Sequence, residues 1–292
     1  MTALKQYIVH SGQKLPYVKG SKGCFIGGTQ ISMADGTKKS IEDIEIGNLV
    51  LAFDKSGNLG PASVTHTFTH ENDEFIKIKE PSQKIIILPI DLSKEDQCEK
   101  AVEYFFHNFT KVDILINNAG IIGPKGPLEN SNWLEWKYAM NINLFGSIYL
   151  IFKFLPHFKE QNSGTIIQLS GGGATSPLPY MSAYATSKAA LIRFIETISL
   201  ELKEFNITAN SIAPGPLNTR ILDEFLEAGP KNVGEEFYKK ALLQKETGGA
   251  PLKKAVDLCL YLASETSPKV TGKLISAIWD DWENIKEFFD EL

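Results

Sequence analysis

From residue 84 onward, short unbroken apolar runs alternate with longer stretches of helical periodicity, and this alternation constrains the fold more than any other feature. The runs are Lys84–Ile90 (KIIILPI), Val112–Asn117 (VDILIN), Gly164–Ser170 (GTIIQLS), Ile207–Ala213 (ITANSIA) and Lys273–Ile278 (KLISAI). A strand that is apolar at consecutive positions has to be covered on both faces, and the intervening helices supply the cover. Those helices are predicted over Ser93–Asn108, Trp133–Phe158, Met181–Phe205, Ile221–Glu227, Gly234–Leu243 and Pro251–Ser264, with an acidic amphipathic tail over Asp280–Leu292. Ser93 and Asp96 stand at the spacing of a capping box for the first of them. The pattern predicts an α/β chain with a doubly wound parallel sheet.

The first 80 residues have a different texture. Asn48–Asp54, Ala62–Thr69 and Glu74–Lys79 are strand candidates, set between turn signals at Ala34-Asp35-Gly36, Asp54-Lys55-Ser56-Gly57 and Asn58-Leu59-Gly60. A small all-β unit over 1–80 ahead of an α/β unit over 81–292 is the expected organisation, and 292 residues are enough for two domains. The net charge is −5 and no dense Lys/Arg run occurs, which argues against a nucleic-acid partner. Three widely spaced cysteines, Cys24, Cys98 and Cys259, argue against a disulfide framework and a Cys-rich metal centre. The longest apolar stretches are broken by Lys or Pro short of the ~20 residues of a spanning helix. The first residues carry no apolar leader. A cytoplasmic chain without a membrane partner is therefore expected.

The chemistry concentrates in Tyr184-Ala-Thr-Ser-Lys188, which opens a predicted helix. Residues i and i+4 share a helix face, so the phenol and the ammonium stand side by side. A neighbouring ammonium favours phenolate and is expected to lower the tyrosine pKa from about 10. Such a tyrosine can move a proton in an alcohol–carbonyl interconversion. Four further features accompany it in order: Asp91 after the first apolar run, Asn117-Asn-Ala-Gly120 at the end of the second, Asn143 inside a helix, and Pro214-Gly215-Pro216 with Thr219 after the fourth. Each taken singly is compatible with a plain turn or a tolerated polar residue; their common order is not.

With these residues in that order, the chain over 84–292 resembles the short-chain dehydrogenase/reductase family. The resemblance implies a Rossmann-type fold and hydride transfer between NAD or NADP and a small-molecule alcohol or carbonyl substrate. By that likeness Tyr184 is the general acid/base, Lys188 supports it and holds the nicotinamide ribose, and Asn143 organises a relay water. Asp91 contacts the adenine, Asn117, Ala119 and Gly120 line the cofactor, and Pro214, Gly215 and Thr219 cover the nicotinamide. The family's substrate-orienting serine stands thirteen residues before the tyrosine, where this chain has Gly171; Ser170, one position earlier, is the expected substitute. The family also assembles into homodimers or homotetramers, which makes Trp133–Phe158 and Met181–Phe205 the interface candidates.

The family's opening T-G-x-x-x-G-x-G loop, where backbone N–H groups at a helix N-terminus hold the pyrophosphate, does not occur in this chain. Without the first two family strands, Lys84–Ile90 lacks its neighbours and Val112–Asn117 is left as an uncovered edge. In their place, Cys24 with ADG, SIEDIEIG and VLAFD over 24–79 resembles the opening of a Hint domain, the self-processing fold of inteins. That likeness implies an N→S acyl shift by Cys24 onto the Gly23 carbonyl. The T-x-x-H of Hint domains is not matched in place; Thr67-Phe-Thr-His70 comes too early and is taken as a strand segment. Both likenesses break off near Ile78–Gln83, as in a fused or truncated reading frame. Oxidoreduction with impaired cofactor binding is the leading expectation, with a Cys24 self-processing fragment or a non-catalytic chimera as the alternatives. The Trp279/Trp282 tail is expected near the substrate mouth or an interface, or simply exposed.

Overall fold

Four of the five apolar runs become strands of one sheet, and the described residues of the fifth, Ile86 and Leu88–Ile90, are not in a strand. The computed structural model describes residues 7–9, 30–32, 35–40, 49–53, 59–63, 86, 88–264 and 269–284. The chain divides into two compact units, one of Met1 with Lys14–Ile85 and one of Thr2–Gln13 with Ile86–Leu292. Strand β1 (Tyr7–Val9) therefore belongs to the larger unit, although it lies within the first 80 residues.

In the smaller unit, β2 (Gln30–Ser32) pairs antiparallel with β3 (Lys38–Ser40), and β4 (Leu49–Phe53) with β5 (Leu59–Ser63). The turn after β2 is tied by Asp35 Oδ1, which accepts from the Thr37 backbone N–H at 2.9 Å and its hydroxyl at 2.6 Å. The expected strand over Asn48–Asp54 corresponds to β4. That over Ala62–Thr69 overlaps only the end of β5, which starts earlier. Residues 74–79 and Cys24 lie outside the described residues, as does the rest of the Hint-like pattern apart from these strands and the Asp35 turn.

The larger unit continues with α1 (Glu95–Asn108), β6 (Ile114–Asn117), α2 (Trp133–Met140), a π-helical stretch Asn141–Gly146 and α3 (Ser147–Glu160). Then come β7 (Gly164–Leu169), α4 (Ser182–Glu201), β8 (Ile207–Ala213), α5 (Arg220–Ala228), α6 (Pro230–Val233), α7 (Glu235–Thr247), α8 (Leu252–Ala263) and β9 (Leu274–Ser276). Strands β6 to β9 are parallel neighbours in that order, and β1 closes the β6 edge antiparallel, with Tyr7 opposite Ile116 and Val9 opposite Ile114. The edge expected to be open is thus covered by residues from the start of the chain. The strand expected at Lys84–Ile90 is also corrected. Its described residues, Ile86 and Leu88–Ile90, are not in a strand, consistent with the absence of the two family strands beside which it would have paired.

Consecutive residues of β7 show why its sequence is unbroken: Ile166 packs under α1, α3 and α4, whereas Ile167 and Leu169 face α8. Phe154 and Phe158 of α3 fill the first layer against Phe105 of α1, and Leu258 and Leu262 of α8 fill the second. The helix Trp133–Glu160 is, by length and composition, apolar enough to cross a membrane, contrary to expectation. Half of that window is buried inside the fold, as in a core helix. The capping box at Ser93 is also corrected. Lys94 is the N-cap without a side-chain bond, and Asp91 Oδ1 takes the Ser93 N–H at 2.9 Å instead. At the tail, a single 3-10 turn, Trp282–Asn284, ends the described residues where a longer helix was expected. Trp282 is buried against Tyr261 and its indole N–H donates to the Ala277 carbonyl at 3.3 Å, while Trp279 is 81% exposed.

Phe154 is fully buried between two helices and the sheet. Phe154→Ala is expected to lower the stability of the larger unit by about 3–5 kcal/mol, the cost of a large aromatic cavity, measured by urea unfolding.

Candidate active site

The C-terminal ends of β6 and β7 and the first turns of α4 bring the titratable pair to one place. Tyr184 and Lys188 lie one turn apart on the inward face of α4, and both are buried. Lys188 Nζ donates to the Leu169 carbonyl at the end of β7 at 2.9 Å and stands 5.7 Å from the centre of the Tyr184 ring. Burial pushes the Tyr184 phenol up to about 12 and the Lys188 ammonium down to about 8. This corrects the expectation of a lowered tyrosine. Desolvation disfavours the phenolate and outweighs the ammonium, so the neutral phenol stands beside a cation at neutral pH.

Asn143 is held in the π-helical stretch, a backbone form often found at functional sites. Its Oδ1 accepts from the Ile121 N–H at 2.8 Å, and its Nδ2 donates to the Ile121 carbonyl at 2.8 Å and to Ser187 Oγ at 3.1 Å. Ser187 Oγ in turn donates to the Tyr184 carbonyl at 2.7 Å. Ser187 was given no role from the sequence; its position three residues after Tyr184, on the same helix face, was the available signal. Gly120 completes the cluster: a β-carbon there would lie 3.5 Å from both Asn143 Oδ1 and Lys188 Nζ. The Gly120 backbone thus lies close beside both the buried ammonium and the Asn143 amide.

The remaining predicted residues divide. Asn117 is buried and its Nδ2 ties the end of β6 to the Ser147 carbonyl at 3.0 Å. Ala119 is buried in the core layer. Ser170 is buried and its Oγ has no hydrogen-bond partner, while its N–H donates to the Ile212 carbonyl at 2.8 Å. Gly171 proves to be the closer neighbour of the tyrosine, since a β-carbon there would fall 2.1 Å from the Tyr184 hydroxyl. Asp91 is engaged locally by the Ser93 N–H and, at 3.4 Å, by the Tyr138 hydroxyl. Pro214 and Gly215 leave β8 with Gly215 at φ +86°, where a β-carbon would meet Ile278 at 2.5 Å. Thr219 is the exposed N-cap of α5. No described contact joins Asp91, Pro214 or Thr219 to the Tyr184–Lys188 pair. Among the described residues no His/Cys/Asp/Glu cluster suits a metal ion.

A mostly parallel sheet with helices on both faces and a buried Tyr–Lys pair near its carboxyl strand ends places the chain among doubly wound α/β folds, whose ligands bind at those ends. The sequence profile of the short chain dehydrogenase family matches residues 62–229, starting upstream of residue 84, where the motifs had placed the likeness. The chain belongs to the short-chain dehydrogenase family. It is 33% identical over 207 residues to dehydrogenase/reductase SDR family member 6 of Aquarana catesbeiana, covering 70% of this chain and 81% of that protein. It is 36% identical over 138 residues to 11-beta-hydroxysteroid dehydrogenase-like 3 of Arabidopsis thaliana, covering 47% and 44%. Among solved structures it resembles YwfH, an NADPH-dependent reductase of bacilysin biosynthesis, with TM-score 0.59 and 26% identity over 68% of this chain and 77% of that one. It also resembles NAD+-bound xylitol dehydrogenase, with TM-score 0.57 and 25% identity over 64% and 76%.

Two measurements follow from this geometry. Gly171→Ala forces the Tyr184 hydroxyl or the loop to move and is expected to destabilise by about 1–3 kcal/mol, as overpacking does, read by thermal unfolding. The second concerns pH. An unfolded lysine keeps its proton to about 10.4, whereas Lys188 releases it near 8, so the unfolded state binds more protons in between and stability rises with pH across that window. From pH 7 to 9.5 Lys188 is expected to add on the order of 2 kcal/mol. Urea unfolding of Lys188→Met should lack that rise.

Proposed function

We propose that the chain interconverts an alcohol and a carbonyl compound using NAD or NADP, with Tyr184 as the proton donor and acceptor. The observation that carries this reading is the buried Tyr184–Lys188 pair, whose cation rests on the Leu169 carbonyl close beside the Gly120 backbone. A fully desolvated ammonium is costly unless its donors are satisfied. The hydroxyls of a nicotinamide ribose are suitable acceptors for its remaining protons, so these residues fit the nicotinamide end of such a cofactor. When bound, the cofactor supplies or accepts the hydride. In carbonyl reduction Tyr184 Oη gives its proton to the substrate oxygen as the hydride reaches carbon. In alcohol oxidation the same oxygen takes the proton back. Lys188 stabilises the phenolate left behind, and Asn143 holds the backbone at Ile121 and, through Ser187, the first turn of α4. The Ser170 hydroxyl, buried and without a partner, is the nearest-placed candidate in sequence for the substrate oxygen.

The pyrophosphate end is a different matter. No T-G-x-x-x-G-x-G loop stands in the sequence, so backbone N–H donors of that kind are missing and dinucleotide binding is weak. Calorimetric titration with NAD and with NADP is expected to show dissociation constants in the millimolar range. Tyr184→Phe should leave that binding in place and remove turnover, whereas Lys188→Met should weaken both. A Tyr184→Phe variant with undiminished turnover overturns the assignment.

A further inference from the structure

Gln168 lies directly behind the active-site cluster, and the reaction described above gives it no role. It is the residue before Leu169 in β7 and its side chain is fully buried. Its Nε2 donates to the Asn117 carbonyl at 3.3 Å and to the Leu169 carbonyl at 3.2 Å. The second of these is the same oxygen that receives Lys188 Nζ at 2.9 Å. Its Oε1 has no partner, so the amide is oriented through its donor end alone.

Two consequences follow from that shared oxygen. A carbonyl has two lone pairs and can serve two donors, but each donor draws on the same electron density and weakens the other's bond. The positive end of the Gln168 amide also faces the ammonium across that oxygen. Among the described residues, the other groups beside Lys188 are uncharged: Gly120 from the loop after β6, with Asn143 of the π-helical stretch on the far side of that glycine, and Leu169 from β7. Tyr184, on its own helix, is the titratable neighbour. With no carboxylate among them, small changes in dipole placement fall directly on the cation.

We propose that Gln168 is a positioning residue for Lys188: by sharing the Leu169 carbonyl on which the buried ammonium rests, it limits how strongly that oxygen can hold the positive charge. The functional weight of this rests on Lys188 being the lysine of the reaction, but its test requires neither cofactor nor turnover. In protein labelled with 13C-lysine, the Lys188 Cε resonance is assigned by its loss in Lys188→Met and followed from pH 6 to 11. Gln168→Met, similar in length but without a donor, is expected to raise the Lys188 midpoint by about 0.5 pH unit or more while unfolding remains cooperative. In the unaltered protein the side-chain NH2 signals of Gln168 are expected to move with the same midpoint, a readout that does not depend on any Gln168 variant folding. An unchanged or lowered midpoint in Gln168→Met, or Gln168 signals indifferent to the Lys188 titration, overturns the proposal. Failure to bind NAD or NADP in calorimetry bears on the proposed function alone and leaves this titration intact.

Discussion

The site depends on one contact, the Lys188 ammonium on the Leu169 carbonyl. A buried cation without a carboxylate has to be held by dipoles, and dipoles act only over short distances and in fixed directions. The first turns of α4 therefore dock against the end of β7 at hydrogen-bond distance, and the elements on either side are shaped to permit it. Gly171 leaves room beside the phenol, and the π-helical stretch turns Asn143 onto the Ile121 backbone and Ser187. The same desolvation that makes the cation costly sets the protonation state of its partner, so the resting pair is phenol and ammonium.

The strands that lie next to one another in sequence order were legible because burial on both faces leaves its mark on consecutive residues, as Ile166 and Ile167 show by packing into different layers. Lys84–Ile90 carries the same mark, yet its described residues are not in a strand, since a strand is defined by its partner; the edge of β6 is filled instead from Tyr7–Val9, more than a hundred residues away. Nothing local in Tyr7–Val9 announces that pairing. The ADG turn, by contrast, was visible because its bonds run between Asp35 and Thr37.

The Tyr184–Lys188 spacing was likewise a local fact, and the helix placed both side chains on one face. The direction of the tyrosine's titration was not, because it depends on how completely α4 is covered. Gly171 looked like a missing serine, whereas the fold uses its missing side chain to seat the phenol. Gln168 escaped notice because its partners are backbone carbonyls, which carry no signature in a sequence, and Ser187 because its side-chain partner, Asn143, lies 44 residues away.

The placement of β1 has a consequence for how the molecule is made. The larger unit is discontinuous, with Lys14–Ile85 inserted between its first strand and the rest. On the ribosome, Tyr7–Val9 emerges early, yet its partner Ile114–Ile116 follows only after the whole inserted unit. At roughly 5–20 residues per second, the first strand waits on the order of 5–20 s with its backbone groups unpaired. During that interval the chain of the inserted unit is synthesised in full, so the first strand of the sheet is made long before its partner.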